Sequence, residues 1–377
     1  MSDPMAFQAR SRKMAGPYAR ACRWPGLLVP LMLGAAICWP GGARASETSP
    51  GIEGDVFSRN AFSIQGFGTL GAARSSNGKV GVPRNVSQPE GIGKHWSAKQ
   101  DSLLGLQMQY SFSDQLNAQI QAASYYRSDG SFKPTVTAAF LKYDLNPRFS
   151  VRLGRVGLDL LMLSDTRMVG YSYIPIRPAS EFFSVPVNFV DGINARWRAP
   201  LGEGVLSIDG TAGIAQEDIH LYEFGDSKVG KASIGYESGP WQFRYFYTRA
   251  KMAHDMPSLG LLRGYLSMVP STYPSQAARV VDKLVIKDTK AVYESLGVGY
   301  DDGDWQMQLI YSRMRYETPV LMNPRTINMF IGRRLGNVTP YIGYSRVKSK
   351  AKHLETGLSS SPFFPGSPDL QQLDAAV

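Results

Sequence analysis

The sequence predicts an all-β protein whose strands run antiparallel and follow one another in chain order. Three observations carry this prediction. Apolar and polar residues alternate in one segment after another, short turns and long loops take turns between those segments, and no apolar run of 18 residues occurs after residue 45. Since successive side chains of a strand point to opposite faces, period-two alternation gives each predicted strand one apolar and one polar face.

Residues 1–45 predict a cleaved secretory signal peptide. A basic segment holds Arg10, Arg12, Lys13, Arg20 and Arg23. An apolar run follows from Leu27 to Cys38, and Ala43-Arg44-Ala45 has the small residues that a signal peptidase reads. We expect cleavage before Ser46, no lipid anchor, and a start codon at Met1, Met5 or Met14. The alternative is that this segment is retained as an anchor.

Removal of this segment changes the composition. It carries six Lys/Arg and one acidic residue, so the formal net charge falls from +10 for the whole chain to +5. This mild excess gives no argument for nucleic acid as a partner. Both cysteines, Cys22 and Cys38, lie in the segment. We therefore expect no disulfide, metal site or cofactor in the exported chain.

The stretch from Ser102 to Tyr126 shows the pattern most clearly. Leu104, Leu106 and Met108 alternate with glycine and glutamines, the alternation breaks at Ser113-Asp114, and it then resumes with Leu116 and Ile120. A two-residue break between alternating segments is typical of a β-hairpin. The glutamines at 107, 109, 119 and 121 are predicted to share the opposite, polar face.

The pattern recurs and gives about thirteen strands of roughly ten residues, the length that a tilted strand needs to cross a bilayer. The other alternating segments lie at 62–72, 139–145, 149–153, 193–197, 206–214, 234–236, 241–247, 296–300, 305–311, 327–331 and 342–344. The predicted short turns are Ser113-Asp114, Asn146-Pro147, Pro200–Gly204, Ser238–Pro240, Asp301–Asp304 and Gly336-Asn337. The predicted long loops are 75–97, 156–190, 216–229, 249–289 and the tail after 347.

Two features indicate that the apolar face meets lipid. Loop lengths are sorted by end, and aromatic residues such as Trp197, Trp241 and Trp305 lie beside short turns. Only helices and closed barrels satisfy their backbone groups in a bilayer, so the sequence predicts a transmembrane antiparallel up-and-down β-barrel with a polar lumen. We assign the barrel to residues 46–347, and residues 348–377 to an extracellular loop or a truncated tail.

The chain resembles Gram-negative outer-membrane porins of the general-diffusion type. The resemblance rests on "FSIQGFGTLGAARS" after the signal region, on "AFLKYDLNPRFSVRLGR" with its Asn-Pro turn, and on "FVDGINARW" after a long segment. The resemblance covers about residues 61 to 347, and it lies in the pattern of the segments and not in a single specific motif. It implies sixteen strands, a homotrimer in outer-membrane lipid, and passive passage of small hydrophilic solutes and ions.

The chain departs from this family at its end. Such porins typically close on a strand with a terminal phenylalanine, whereas this sequence ends in Ala375-Ala376-Val377 within a Ser/Pro/Gly-rich stretch. About three strands are lacking for sixteen. The expectation is a truncated reading frame, in which the sheet has an unpaired edge.

The candidate site consists of two sets of charged residues. A basic wall on the predicted lumen face consists of Lys142, Arg152, Arg196, Arg198 and Arg244. The resemblance implies that the loop at 156–190 folds into the lumen, and this loop contains Asp159, Asp165, Arg167, Arg177 and Glu181. Fixed charges on facing walls set ion preference, and the basic excess predicts a mild preference for anions. In the alternative, the arginines pair with acids or phosphates at strand ends and aid folding.

Other classes of function remain open on the sequence. A substrate-selective channel of the same build is the nearest. A barrel enzyme needs a nucleophile, a base and an orienting group, and the four histidines at 95, 220, 254 and 353 show no such spacing. We therefore predict no enzymatic activity and no catalytic residue. An exported soluble β-protein that binds carbohydrate is the third alternative, and it needs no detergent in membrane fractionation.

Overall fold

The computed structural model describes residues 61–349, apart from 77–80, 82, 86, 163, 173, 176–186, 220–221 and 270–276. The predicted signal peptide at 1–45 lies outside the described residues, as does the predicted tail at 348–377 apart from its first two residues, of which Lys348 ends a strand. All elements described below belong to one compact unit.

Thirteen antiparallel strands form one sheet in which every strand pairs with its neighbours in chain order. These strands are β1 (Phe62–Thr69), β2 (Leu103–Ser111), β3 (Leu116–Tyr125), β4 (Thr135–Asn146), β5 (Phe149–Gly157), β6 (Phe189–Leu201), β7 (Gly204–Ala215), β10 (Lys228–Ser238), β11 (Trp241–Lys251), β12 (Lys290–Asp301), β13 (Trp305–Tyr316), β14 (Arg325–Arg333) and β15 (Tyr341–Lys348). A separate two-stranded hairpin consists of β8 (Asp218–Ile219) and β9 (Tyr222–Glu223). The predicted all-β, up-and-down architecture and its strand number are confirmed.

The six short turns occur where the sequence predicts them. Gly202 and Gly239 have φ values of 59° and 52° in the turns after β6 and β10, a backbone region that glycine enters without a side-chain clash. Two boundaries differ from the prediction. Strand β1 ends at Thr69, which leaves Leu70 and Ala72 outside it, and β6 continues through Pro200 to Leu201. Pro200 pairs with Val205 at the sheet end, where a proline is tolerated.

The apolar face of the sheet is exposed. Leu104, Leu153, Leu296 and Ile342 are half or more exposed, although each sits in a regular strand. The register keeps apolar residues together on this face, as in Leu141 opposite Leu153. A soluble sheet would bury these side chains, so an exposed apolar face fits a lipid surround.

Two helices interrupt the loop between β11 and β12: α1 (Pro257–Ser267) and α2 (Ala277–Lys283). No helix among the described residues is long and apolar enough to cross a membrane. A buried apolar cluster joins α1 and α2 to the loop after β5 and to Tyr222 and Phe224 beside the small hairpin.

The sheet curls around its polar face. A flat sheet would separate β1 from β14 by about 53 Å, given ~4.8 Å per strand. Yet two residues of one loop, four positions apart, reach both strands. A Cβ at Gly170 would lie 2.6 Å from Thr69 Oγ1 of β1, and a Cβ at Gly332 of β14 would lie 3.2 Å from Ile174 Cδ1. Four residues span at most about 14 Å, so these distant strands must curve toward each other.

Candidate functional site

The five residues of the predicted basic wall lie on the polar face, in adjacent rows of the sheet. Lys142 is opposite Arg152, and Arg196 is opposite Asp209. Arg198 and Arg244 share one row, joined through Ser207 and Gly235. Because cross-strand neighbours on one face have Cβ atoms about 5 Å apart, the register brings these side chains together along β4 to β11.

Acidic residues of the same face partner much of this wall. Asp209 accepts a hydrogen bond from Arg196 Nε at 3.2 Å and lies 2.7 Å from Lys231 Nζ, and its Oδ2 also accepts from Asn194 at 2.8 Å. The side chain of Lys231 is only 2% exposed. This cluster fixes two cations and one carboxylate in the middle of the sheet.

Two further pairs lie nearer the short turns. Arg244 Nη2 donates to Glu237 Oε1 at 3.0 Å, and Gln242 donates to the same oxygen at 2.7 Å. Lys142 Nζ lies 3.3 Å from Asp144 Oδ1. With Lys231 included, the wall from β4 to β11 holds six bases against the three acids Asp144, Asp209 and Glu237. The partnered wall therefore retains an excess of three positive charges.

The predicted site did not include Asp209, Lys231 and Glu237. Alternation alone placed each of them on the polar face, since Ile208, Ala232 and Tyr236 flank them on the apolar face. What the sequence lacked was the register, which decides that Arg196 faces Asp209.

Beta strands β2 and β3 line the polar face with amides in place of charges. Gln109 donates to Gln119 at 3.0 Å, and Gln119 and Gln121 both donate to Gln107 Oε1 at 3.3 and 3.0 Å. Thr137 of the neighbouring strand region donates to Gln121 Oε1 at 2.8 Å. The predicted glutamine face is thus a hydrogen-bonded, neutral surface.

The loop after β5 crosses the polar face; we call residues 158–175 the crossing loop. Met162 packs on β12, where a Cβ at Gly297 would lie 3.0 Å from Met162 Cβ and one at Gly299 would lie 3.4 Å from its sulfur. Gly297 is the register partner of Arg244. The crossing loop therefore lies beside the basic wall, five strands away from its own strand in the sheet order.

Apolar packing holds the start of the crossing loop in place. Leu158, Leu160, Leu161 and Met162 are 1–4% exposed and join the apolar cluster that contains Leu259 and Leu266 of α1. The Ser164 hydroxyl accepts from the Leu160 N–H at 3.1 Å and donates to the Leu161 carbonyl at 2.7 Å, which closes a tight turn. The crossing loop and the helical loop thus form one packed unit.

Polar contacts fix the base of the same loop. The Leu158 N–H donates to the Asn188 carbonyl at 2.8 Å, and Arg167 donates to the side chain and carbonyl of Asn188. The Asn188 amide in turn donates to Glu217 Oε1 at 2.7 Å. Desolvation raises the pKa of Glu217 above the usual glutamate range, and the Asn188 hydrogen bonds and the Arg167 charge oppose that shift.

The five charged residues predicted for the loop do not form one group in the structure. Arg167 belongs to the base just described, and Asp159 is partly exposed next to Leu158. Asp165 lies in a short 3-10 helix, Ser164–Thr166. Arg177 and Glu181 lie outside the described residues. Within the part of the chain that the structure describes, no group of three or more His, Cys, Asp or Glu could hold a metal ion.

These features define a curled antiparallel wall with an exposed apolar face, a polar inner face and an inward loop. No protein-family model matches the chain, and no curated protein matches it. Among solved structures, a loop L8 deletion mutant of OmpT, an outer membrane protein of Vibrio cholerae, is 13% identical with a TM-score of 0.46; the match covers 76% of this chain and 82% of that one.

Two further matches have lower TM-scores. An anion-selective porin from Comamonas acidovorans is 12% identical, with 80% of this chain and 93% of that chain covered and a TM-score of 0.37. The outer membrane channel DcaP of Acinetobacter baumannii is 13% identical, with 78% and 92% covered and a TM-score of 0.39. The similarity to each of the three is weak.

Proposed function

We propose that the chain forms a water-filled channel in the outer membrane of a Gram-negative bacterium. Small hydrophilic solutes and ions diffuse through it passively, with a preference for anions. The observation that carries the proposal is the crossing loop, which lies on the polar face of the sheet beside a wall with three excess positive charges. Fixed charge next to a narrow passage sets which ions enter it.

In this proposal the basic wall and the loop have different roles. Lys142, Arg152, Arg196, Arg198 and Arg244, together with Lys231, raise the anion concentration in the channel. The loop at 156–190, of which the crossing loop is part, narrows it, with Asp159, Asp165, Arg167, Arg177 and Glu181 as its charged residues. Residues 1–45 are a signal peptide, 46–347 the barrel, and 348–377 an extracellular loop or tail. The barrel assembles as a homotrimer.

Planar-bilayer recordings test the channel. The exported chain, refolded in detergent and checked for β-structure by circular dichroism, is expected to give discrete conductance steps. Under a potassium chloride gradient, the reversal potential is expected to lie closer to the equilibrium potential of chloride than to that of potassium. Folded protein without conductance would overturn the channel, and a reversal potential on the potassium side would overturn the anion preference alone.

A matched pair of variants on one strand assigns the preference to the inner wall. Arg244 lies on the polar face of β11, and Arg249 lies five residues on, on its apolar face. Arg244→Gln removes one of six inner bases and leaves Glu237 without that cation, so we expect the reversal potential to move toward the cation side. Arg249→Gln removes the same charge from outside the wall, and we expect it to leave the reversal potential unchanged. Equal shifts in both variants would contradict the assignment.

A substrate-selective channel is the second candidate. It is favoured by the apolar packing of the crossing loop against α1, which fixes the loop in one position. Liposome swelling with neutral solutes of graded size separates the two. General diffusion predicts a smooth fall in rate with size, whereas a selective channel predicts one solute class that enters much faster than others of its size.

A further inference from the structure

The apolar face of the sheet carries an unexpected band of basic residues at one end. We call the end opposite the short turns the long-loop end. There, β10 to β15 place nine bases on the apolar face, and we call this set the cationic shelf. Its members are Lys228, Arg249, Lys251, Lys290, Arg313, Arg315, Arg325, Arg346 and Lys348. All are exposed except Arg313, which is partly exposed.

The register lines these bases up with one another. Lys228 is directly opposite Lys251, and Lys251 is directly opposite Lys290. In another row, Arg313 is opposite Arg325, and Arg325 is opposite Lys348. Like charges directly opposite each other destabilise a sheet. The arrangement therefore requires a compensating anion to be favourable.

The acids nearby do not balance the shelf. Glu294 accepts from Arg313 Nε at 2.5 Å and from Arg315 Nη2 at 2.9 Å, and Asp288 lies 2.7 Å from Lys251 Nζ. Glu317 is the third acid, and it accepts the backbone N–H of Lys290 at 3.0 Å. Asp226, two residues before Lys228, is the fourth acid. Nine bases against four acids leave five positive charges on one exposed surface.

The depth of the shelf suits a membrane surface. On β13 the apolar face runs from Trp305 at the short-turn end through Leu309 to Arg313. These eight steps measure about 27 Å along the strand, which is ~19–22 Å of height at the 35–45° tilt of barrel strands. This is slightly less than the ~25 Å height of a lipid-facing apolar band, and long basic side chains reach from there to the headgroups. The shelf therefore lies where lipid headgroups begin, with the tyrosines at 245 and 311 just below it.

We propose that the cationic shelf binds anionic lipid headgroups at the long-loop surface of the membrane, with a preference for lipids that carry more than one phosphate. Rows of bases about 5 Å apart match several phosphate oxygens at once, and arginine pairs with phosphate through two hydrogen bonds. This inference rests on the membrane location in the proposed function, and it concerns the outside of the channel.

A second copy of the chain fits the shelf less well. Copies that met shelf to shelf would bring like charges together. On the apolar face of β1 to β7, the charged residues at the long-loop end are Arg155 and Asp191, which already form a pair with two hydrogen bonds of 2.7 and 2.8 Å. That face offers no acidic complement among the described residues, so a lipid headgroup is the better partner.

The test compares two triple variants with the same loss of charge. The shelf variant is Lys228→Gln, Lys290→Gln and Arg325→Gln. The control is Lys94→Gln, Lys133→Gln and Arg148→Gln, three exposed bases away from the shelf. The full exported chain in neutral detergent is titrated with cardiolipin, phosphatidylglycerol, phosphatidylcholine or free inorganic phosphate, and binding is read by native mass spectrometry or thermophoresis.

Cardiolipin, with two phosphates, is expected to bind most tightly, phosphatidylglycerol less so, and phosphatidylcholine least. The shelf variant is expected to lose about 100-fold in cardiolipin affinity at low salt, given what each basic residue contributes near an anionic surface. The control is expected to change by less than about threefold, and added salt should narrow the difference. Free phosphate should compete only weakly, because it lacks the lipid chains and the second phosphate.

Three results would overturn the proposal: equal cardiolipin affinity in both variants, equal binding of phosphatidylcholine and cardiolipin, or a changed oligomeric state of the shelf variant with unchanged lipid binding. Conductance separates this proposal from the channel, because the shelf lies outside the polar wall. The shelf variant is expected to conduct like the unaltered chain. Lipid binding without conductance in the unaltered chain would count against the channel alone.

Discussion

The two halves of the sheet treat charge on their apolar face in opposite ways. At the long-loop end of β1 to β7, Arg155 and Asp191 neutralise each other in a two-bond pair. At the same end of β10 to β15, three lysines face one another across neighbouring strands. Both halves have the same alternating pattern, so alternation alone does not tell a neutral lipid surface from a cationic one.

The difference also shows how little a total charge reveals. The excess of five that remains after the predicted signal peptide is small. The excess of three positive charges on the inner wall and the excess of five on the shelf are both local. Their effects differ, because the first faces a polar interior and the second faces headgroups. Each of the following variants tests one side of this contrast.

The largest expected effect comes from placing a charge at mid-depth, where the halves should behave alike. Leu153→Arg in β5 and Leu296→Arg in β12 each put a cation at the centre of the apolar face. We expect each to lower the free energy of unfolding by ~2–4 kcal/mol in lipid vesicles, measured by guanidinium titration with tryptophan fluorescence. Gln306→Arg, on the polar face of β13, is the control and should cost less than about 1 kcal/mol. A small cost at both leucines would contradict a lipid-facing apolar face.

Removing one partner of the Arg155–Asp191 pair in the first half of the sheet should lower the free energy of unfolding. Asp191→Ala leaves Arg155 half-buried without its carboxylate, and we expect a loss of ~1–3 kcal/mol in the same unfolding assay. The double variant Arg155→Met with Asp191→Leu removes both charges and should recover most of that stability. If the double variant is as unstable as the single one, the pair is not what holds these strands.

Glu294 is the contrasting acid of the second half, and its loss should separate stability from binding. Glu294→Gln removes the partner of Arg313 and Arg315, so we expect a loss of ~0.5–1.5 kcal/mol in stability. Because the shelf becomes more positive, cardiolipin affinity should rise by about fivefold at low salt. A fall in affinity would show that Glu294 orders the arginines for the lipid.

The smallest effect, and one of opposite sign, is expected at the end of the lysine row. Lys228→Glu places an acid opposite Lys251 and should raise stability by ~0.2–1 kcal/mol while lowering cardiolipin affinity. Lys94→Glu is the matched control, and we expect it to change neither quantity measurably. Destabilisation by Lys228→Glu would show that the lysine row carries no repulsion.

The sequence predicts most of the strand architecture because local alternation encodes it. The hairpin of β2 and β3 turns at the predicted Ser113-Asp114 break, and the glutamines share one face as expected. The small hairpin of β8 and β9 was missed, since strands of two residues are too short to show a period. Leu70 was assigned to β1 on the strength of its apolar side chain, yet it is 96% exposed and outside the strand.

The site is less predictable, because it depends on register and on long-range packing. The basic wall follows from alternation, but its pairing through Asp209 does not, since Arg196 and Asp209 lie on different strands. The crossing loop is expected from the resemblance, whereas its contact with Gly297 depends on the curl of the sheet. The cationic shelf was within reach of the same alternation, because Arg249 and Arg313 follow the apolar positions of their strands by steps of two.

Two glycines that contact the crossing loop bear on the width of the proposed channel. Met162 sits against Gly297 and Gly299, so the crossing loop comes as close to the wall as a bare backbone allows. A methyl group at 297 would lie 3.0 Å from Met162 Cβ, so the loop would have to move away from the wall by a few tenths of an ångström. In the proposed channel, residues 162 and 297 therefore set the distance between the crossing loop and the wall, at positions that carry no charge.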